Sequence, residues 1–162
     1  MMTTDTARRT ELLYRFEGTL GELYPIGVFD DGIRFHNQFD GRITDGPFAG
    51  GRIFGLDRFT LRPDGVGVIV APEVVEAGDT RLALDVRGYV VPPEHVPFPG
   101  LEAVASPGFV FPDVAFRITG AATMQTADPR YAQLNRTVAV IEGEVNMASG
   151  ALSVEARVAD LR

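Results

Sequence analysis

The sequence of 162 residues contains no cysteine, no tryptophan and no lysine, and it has only two histidines, His36 and His95. The absence of cysteine excludes thiol nucleophiles, disulfides, cysteine–zinc sites and iron–sulfur clusters. The absence of lysine excludes a Schiff base and a phosphate-binding lysine of the Walker type. The side chains that remain for chemistry carry oxygen, imidazole or guanidinium groups.

Positive charge is also scarce, because 15 arginines stand against 22 acidic residues and give a formal net charge of −7. A chain with this charge repels a phosphate backbone, so we expect no nucleic-acid partner. Long apolar runs are missing too: Met1–Arg9 has no apolar signal-peptide core, and no stretch of about 18 apolar residues follows. We therefore expect a cytoplasmic protein with no membrane partner.

Windows long enough for a regular helix are few, because 18 glycines and 11 prolines are spread among short apolar runs. The chain has instead a period-two alternation of apolar and polar side chains, which is typical of half-buried strands. In the clearest example, Leu82, Leu84 and Val86 share one face, and Asp85 and Arg87 share the other. The same alternation predicts strands in three further segments: Tyr14–Leu20, Phe116–Gln125 and Leu152–Val158.

A turn pattern connects two apolar runs, Phe59–Leu61 and Val66–Val70. Between them, Arg62–Gly65 has proline at the second position and glycine at the fourth, which is typical of a type I turn in a hairpin. Seven or eight short strands with internal glycines favour a closed antiparallel β-barrel, with a β-sandwich as the alternative. We expect a flexible segment over residues 1–11 and a single barrel domain over residues 12–162.

One long segment departs from the strand pattern, since residues 91–114 hold six of the 11 prolines. Proline cannot donate to a strand ladder, so this segment is predicted to be an ordered loop or a lid. It also carries Phe98, Phe109 and Phe111. Either these rings fill an open end of the barrel, or they belong to a lid that gates a ligand cavity.

A second motif outside the strands is Asp128–Asn135, in which aspartate stands at an N-cap position and proline at the first helical position. This pattern predicts one short helical turn. Tyr131 and Leu134 would plug one barrel end, or Tyr131 and Asn135 would present hydrogen-bonding groups to a pocket.

No specific catalytic motif is present. The serines lie outside any Gly-x-Ser-x-Gly pattern, which does not favour a serine hydrolase. His36 and His95 are 59 residues apart, and no third ligand is signalled beside them, so we expect neither a metal site nor a cofactor.

Asp57 is the most informative polar residue, because it shares strand parity with Phe59 and Leu61, while Arg58 and Arg62 face the other way. If the apolar face lines the barrel interior, Asp57 lies inside as well. A carboxyl group in such a place either pairs with an arginine or has its pKa raised, and a raised pKa suits a general acid or base. A structural salt bridge is the alternative interpretation.

Two stretches of the chain resemble a known family. Gly55–Gly65 carries a glycine–x–aspartate strand that ends in an Arg-x-Asp-Gly turn, and Gln125–Arg136 carries Thr-x-Asp-Pro-Arg-Tyr-x-x-Leu-Asn. Both resemble the small β-barrel proteins of domain-of-unknown-function family 3237, over about residues 12–160. The resemblance implies a closed calycin-like barrel with an internal pocket, and arginine stands at position 58 where that family usually has tryptophan.

These observations predict a cofactor-independent barrel enzyme of lyase, isomerase or cyclase type that transfers a proton on a small hydrophobic or aromatic molecule. Asp57 would be the acid or base, Arg58 or Arg62 would stabilise negative charge if twist or a bulge turned either inward, and Tyr131 would donate a hydrogen bond. The predicted ligand-binding residues are Phe59, Phe98, Phe109, Phe111 and Asn135. The alternatives are a non-catalytic binding barrel and a scaffold with a filled pocket.

We also expect a homo-oligomer. The segment Thr137–Ile141 carries Val138 and Val140 on one face and further apolar residues on the other, so one side of the sheet would meet a partner subunit.

Overall fold

The computed structural model describes residues 10–159, which form eight antiparallel strands closed into one barrel. The strands are β1 (Glu11–Phe29), β2 (Gly32–Asp45), β3 (Arg52–Leu61), β4 (Gly67–Ala77), β5 (Thr80–Val91), β6 (Ala115–Gln125), β7 (Val138–Asn146) and β8 (Ala151–Val158). Each strand pairs with the next, and β8 pairs back with β1, so Phe16 lies opposite both Ile43 and Val154. The predicted closed all-β barrel is confirmed.

The alternation seen in the sequence becomes the inside and the outside of the barrel. Leu82, Leu84 and Val86 of β5 are buried in the core, whereas Asp85 and Arg87 are exposed. The four segments predicted from alternation lie within β1, β5, β6 and β8. The predicted turn also forms, since the Gly65 amide donates to the Arg62 carbonyl at 3.0 Å between β3 and β4.

Glycines allow neighbouring strands to approach closely where the barrel curves. Gly18 of β1 lies opposite Gly41 of β2, and Gly88 of β5 lies opposite Gly120 of β6. A Cβ atom on Gly120 would stand 2.6 Å from the Arg87 carbonyl oxygen, which is closer than the two atoms tolerate. These pairs are places where only a hydrogen side chain fits.

One end of the barrel is closed by a 3₁₀ helix, Pro129–Arg136, which confirms the predicted capped turn. The Asp128 carboxylate accepts from the Arg130 amide at 3.0 Å and from the Thr80 hydroxyl at 2.6 Å, so the cap is tied to β5. Leu134 of the 3₁₀ helix is fully buried. The Arg130 guanidinium beside Asp128 holds the pKa of that carboxyl well below its usual range.

The opposite end carries the proline-rich residues 92–114, here called the lid segment, since β6 runs from this segment to the 3₁₀ helix. The segment forms no strand, as its prolines predict. It does contain one helical turn that was not predicted, α1 (Leu101–Ala105). This turn forms in a proline-free run of good helix formers between Gly100 and Pro107.

Residues 1–9, most of the segment predicted to be flexible, lie outside the described residues, and β1 begins at Glu11. Among the described residues, no helix has the length and apolar character needed to cross a membrane. Val138 and Val140 of β7 lie on the outer surface and are about half exposed (56% and 52%). A subunit interface on that face stays a prediction.

We expect Gly120→Ala to lower the free energy of unfolding by about 1–3 kcal/mol, because the added methyl group meets a backbone oxygen that cannot move without disturbing the β5–β6 ladder. Urea denaturation followed by circular dichroism measures this. The control is Ala121→Ser at the exposed neighbouring position, expected to stay within about 0.5 kcal/mol of the unsubstituted protein. An equally small effect of Gly120→Ala would contradict the packing argument.

Candidate active site in the barrel lumen

The lumen contains a cavity of about 60 Å³, lined by side chains from all eight strands. By volume it holds a few water molecules or one small chemical group. Most of its lining is apolar. Four polar side chains interrupt that lining, one from each of the first four strands: Tyr14, Asn37, Asp57 and Glu73.

Strand register brings three of these polar groups, Asn37, Asp57 and Glu73, to neighbouring positions. Asn37 of β2 lies directly opposite Asp57 of β3, so both side chains enter the lumen at the same level. On the other side of β3, Gly55 lies opposite Glu73 of β4 and Phe59 lies opposite Ile69. Asp57 lies midway between Gly55 and Phe59 on β3. It is therefore one inward-facing position away from Glu73.

Three polar atoms in this cluster are buried without a hydrogen-bond partner in the protein: Tyr14 Oη, Asn37 Nδ2 and Asp57 Oδ1. Leaving a buried polar group unpaired costs about 1–3 kcal/mol, and native proteins rarely tolerate it. Tyr14 and Asn37 are almost completely buried, at 0% and 2% exposure. Grouped unpaired atoms on one cavity are typical of a binding or catalytic site.

Burial raises the pKa of the Asp57 carboxyl to about 7. Burial, and then the negative charge of Asp57, raise the pKa of the Glu73 carboxyl to about 8. The Tyr14 hydroxyl also has its pKa raised, first by burial and then by Glu73. No residue that lines this cavity in the described chain is basic, so nothing there offsets the cost of a negative charge.

Near neutral pH the two carboxyls therefore hold about one proton between them. A carboxylate and a carboxylic acid then line the same cavity, one able to accept a proton and the other to donate one. Residues 10–159 contain no group of three histidine, cysteine, aspartate or glutamate side chains placed to hold a metal ion.

The structure places predicted residues Asp57 and Phe59 in the cavity, as their parity indicates. It does not bring Arg58 or Arg62 to them. Arg58 is exposed on the outer face of β3, because β3 pairs with β2 without a bulge that would turn this residue inward. Arg62 belongs to the β3–β4 turn, where it donates to the Asp64 carboxylate at 2.5 Å.

Tyr131 and Asn135 also lie away from the cavity, in the 3₁₀ helix at the closed end. The ring of Tyr131 packs against Phe48, with 4.9 Å between ring centroids. The Asn135 side chain accepts from the Thr126 amide at 2.7 Å and donates to the Thr126 carbonyl at 3.0 Å. In this structure Tyr131 packs at the closed end of the barrel, and the exposed Asn135 ties the 3₁₀ helix to Thr126.

The predicted ligand-binding residues Phe98, Phe109 and Phe111 line a second cavity beneath the lid segment. Of the aromatic residues predicted for ligand binding, only Phe59 lines the lumen cavity in the described chain.

Sequence reasoning missed Tyr14, Asn37 and Glu73 as site residues. A local signal existed for each of them, since Tyr14 shares parity with the buried Phe16, Asn37 with Phe39 and Glu73 with Val75. None of these signals shows that the residue lies near Asp57, because that depends on pairing between strands.

Several solved structures share this fold. A protein of unknown function from Clostridium acetobutylicum ATCC 824 has a TM-score of 0.70 and 20% identity, over 93% of this chain and 98% of that chain. A β-barrel-like protein from Acinetobacter baumannii AYE has a TM-score of 0.69 and 23% identity, over 93% and 94%. A protein from Penicillium herquei, described as an enzyme, has a TM-score of 0.57 and 18% identity, over 92% and 93%.

No family model and no curated protein matches the chain. At these identities the structural likeness shows the fold alone. Membership of domain-of-unknown-function family 3237 stays a prediction.

We expect the free energy of unfolding to fall by about 7 kcal/mol, roughly half of it from each carboxyl, as the pH rises from about 4.5 to 8. In this range the folded Asp57 and Glu73, with pKa values of about 7 and 8, bind more protons than in the unfolded chain, so rising pH favours unfolding. Urea denaturation at a series of pH values measures this.

The comparison protein is the double variant Asp57→Asn with Glu73→Gln, which keeps the shape of both side chains and removes their titration. Its stability is expected to change less over the same pH range. Parallel pH profiles for the two proteins would show that neither carboxyl has a raised pKa.

Proposed function

We propose that this protein is a cofactor-independent enzyme that transfers a proton on a small, largely apolar organic molecule held in the barrel lumen. The observation that carries the proposal is the pairing of Asp57 and Glu73, two lumen carboxyls with pKa values raised to about 7 and about 8, beside unpartnered Tyr14 and Asn37. Perturbed carboxyls in a cavity are typical of acid–base sites.

In this mechanism the ionised carboxylate removes a proton from the substrate, and the neighbouring carboxylic acid delivers a proton to another atom of the same molecule. The substrate neither gains nor loses a proton overall, which suits an isomerisation or a ring closure. A proton then passes between the two carboxyls and restores the starting state. Because coupled carboxyls titrate as a pair, either of them serves as the base.

Tyr14 and Asn37 supply hydrogen-bond donors to the negative charge that develops on the substrate. The Tyr14 hydroxyl and the Asn37 amide nitrogen have no protein partner that would compete for them. Donors fixed in an apolar cavity stabilise such charge more strongly than they would in water. They take the role that the sequence assigned to Arg58, Arg62 and Tyr131.

The apolar lining favours a hydrophobic or aromatic substrate, since such a molecule gains free energy when it leaves water. The enzyme from Penicillium herquei has the same fold, which is compatible with catalysis in this barrel type and says nothing of the reaction here.

A non-catalytic binding barrel is the second candidate. It is favoured by the outward position of Arg58 and Arg62, which leaves the described lining of the cavity without a basic side chain to stabilise an anionic intermediate. In that case the four polar side chains only orient a bound molecule.

We expect Asp57→Asn to lower turnover about 10²- to 10⁴-fold with the fold intact, since the amide cannot take up a proton. The control Asp85→Asn removes a carboxylate from the exposed face of β5 and should leave turnover unchanged. The assay follows a panel of hydrophobic and aromatic metabolites by mass spectrometry, then measures the pH dependence of kcat/KM on the best substrate.

The proton-transfer proposal requires a bell-shaped pH profile with its maximum between about 7 and 8, where one carboxyl is ionised and the other protonated. Saturable binding without turnover would support the binding barrel instead. Full turnover by Asp57→Asn would remove Asp57 from the chemistry.

A further inference from the structure

A second cavity, of about 240 Å³, lies between the lid segment and the adjacent end of the barrel. Leu61 and Phe116 form its floor at the ends of β3 and β6, and Val104, Phe98, Phe109 and Phe111 of the lid segment form its roof. Every residue of its lining, within the described chain, has an apolar side chain or is glycine. Only a hydrocarbon group matches such a lining.

The aromatic roof is not packed like the barrel core. Phe98, Phe109 and Phe111 are only half-buried, whereas core residues such as Phe59 and Leu61 are each 5% exposed. The rings of Phe109 and Phe111 meet edge to face, with 5.1 Å between centroids, and leave the cavity beneath them. An apolar guest there would bury ring surface that now contacts solvent.

The second cavity begins one layer of side chains beyond the lumen cavity. Phe59 and Ile118 line the lumen cavity, while Leu61 and Phe116, two residues away on the same strands, line the second one. Residues two apart on a strand share a face and lie about 7 Å apart. The two cavities therefore follow each other along the inner surface of the barrel.

The ring of Phe59 lies at the boundary between the cavities and occupies the space that a side chain on Gly67 would fill. Beyond it, α1 is flanked by Gly100 and Gly108, whose φ angles of 92° and 80° favour glycine. Among the described residues, no atom beyond the two chain neighbours lies within 4 Å of the position where a Cβ on either glycine would stand. A ligand that spans both cavities has to turn the Phe59 ring aside.

The polar side chains at the lumen end of the site limit the chemical class of the ligand further. Its head group would meet the carboxyls of Asp57 and Glu73 and the donors of Tyr14 and Asn37. Because the lumen has no basic side chain in its described lining and the protein carries a net charge of −7, a fatty-acid anion would be repelled. A neutral hydroxyl or carbonyl head avoids that repulsion.

We propose that the lid-segment cavity binds the hydrocarbon chain of an amphipathic ligand whose neutral polar head reaches the carboxyl pair in the lumen. The substrate class is then a molecule with one neutral oxygen-bearing end and an extended apolar chain. The placement of the head rests on the proposed function, whereas the chain site rests on the second cavity alone.

The test is isothermal titration calorimetry with 1-alkanols of four to ten carbons. Each methylene group buried under the lid segment should tighten binding about fourfold, until the cavity is full. Phe109→Asp places a carboxylate in the roof and should abolish this dependence on chain length, while Ala105→Asp, at an exposed position of α1 outside the lining, should retain it. The alkanoate of matching length should bind at least about tenfold more weakly than the alkanol.

A second measurement does not depend on a variant that folds. In ¹⁵N-labelled unsubstituted protein, long 1-alkanols should shift the Asn37 side-chain amide and the backbone amides of Phe98 and Phe109, whereas butanol should shift Asn37 alone. Affinity independent of chain length, or an unchanged length dependence in Phe109→Asp, would overturn the proposal.

The outcomes separate this inference from the proposed function. Turnover that depends on Asp57, with no effect of chain length on affinity, would overturn the lid-segment site and leave the enzyme proposal standing. Binding that depends on chain length, without turnover of any substrate, would support the lid-segment site and favour the binding barrel.

Discussion

The carboxyl groups of Asp57 and Glu73 line the same apolar lumen cavity, one inward-facing position apart on neighbouring strands, with no basic side chain in the described lining. Neither group can ionise without the cost of a charge in low dielectric, and the second to ionise also meets the charge of the first. The pair therefore retains a proton at a pH where exposed carboxyls have lost theirs. The chemistry proposed here follows from that retained proton, and so does the pH dependence of stability.

The barrel imposes this arrangement through its geometry. Closure between β1 and β8 turns one face of every strand toward a shared interior, and the glycine pair Gly88 and Gly120 lets neighbouring strands approach where the sheet bends. The unbroken β2–β3 register sets Asn37 beside Asp57 and keeps Arg58 outside. The same regular register that buries the carboxyls therefore keeps Arg58, which could serve as their counter-ion, on the outer face of β3. A fold made for stability alone would have paired these groups or replaced them with apolar ones.

Local patterns predicted most of the fold and part of the site. Alternation located the strands, Arg62–Gly65 located a hairpin turn, and the capped motif after Thr126 located the 3₁₀ helix. Strand parity with Phe59 and Leu61 was enough to predict that Asp57 faces the lumen. The partnership of Asp57 with Glu73 depends on inter-strand register, which a single strand's sequence does not carry. The expectation for Arg58 required a bulge, and bulges at such positions have no reliable sequence signal.

The central claim is that Asp57 and Glu73 share a proton near neutral pH. Carbon-13 NMR of protein labelled at the aspartate and glutamate carboxyl carbons, titrated from pH 3 to 10, tests it directly, with Asp57→Asn and Glu73→Gln to assign the two resonances. The account predicts midpoints near 7 and 8 for these two carboxyls, and a lower midpoint for Glu73 when Asp57 is replaced by asparagine. Midpoints near 4 for both groups, the ordinary value for exposed carboxyls, would contradict it.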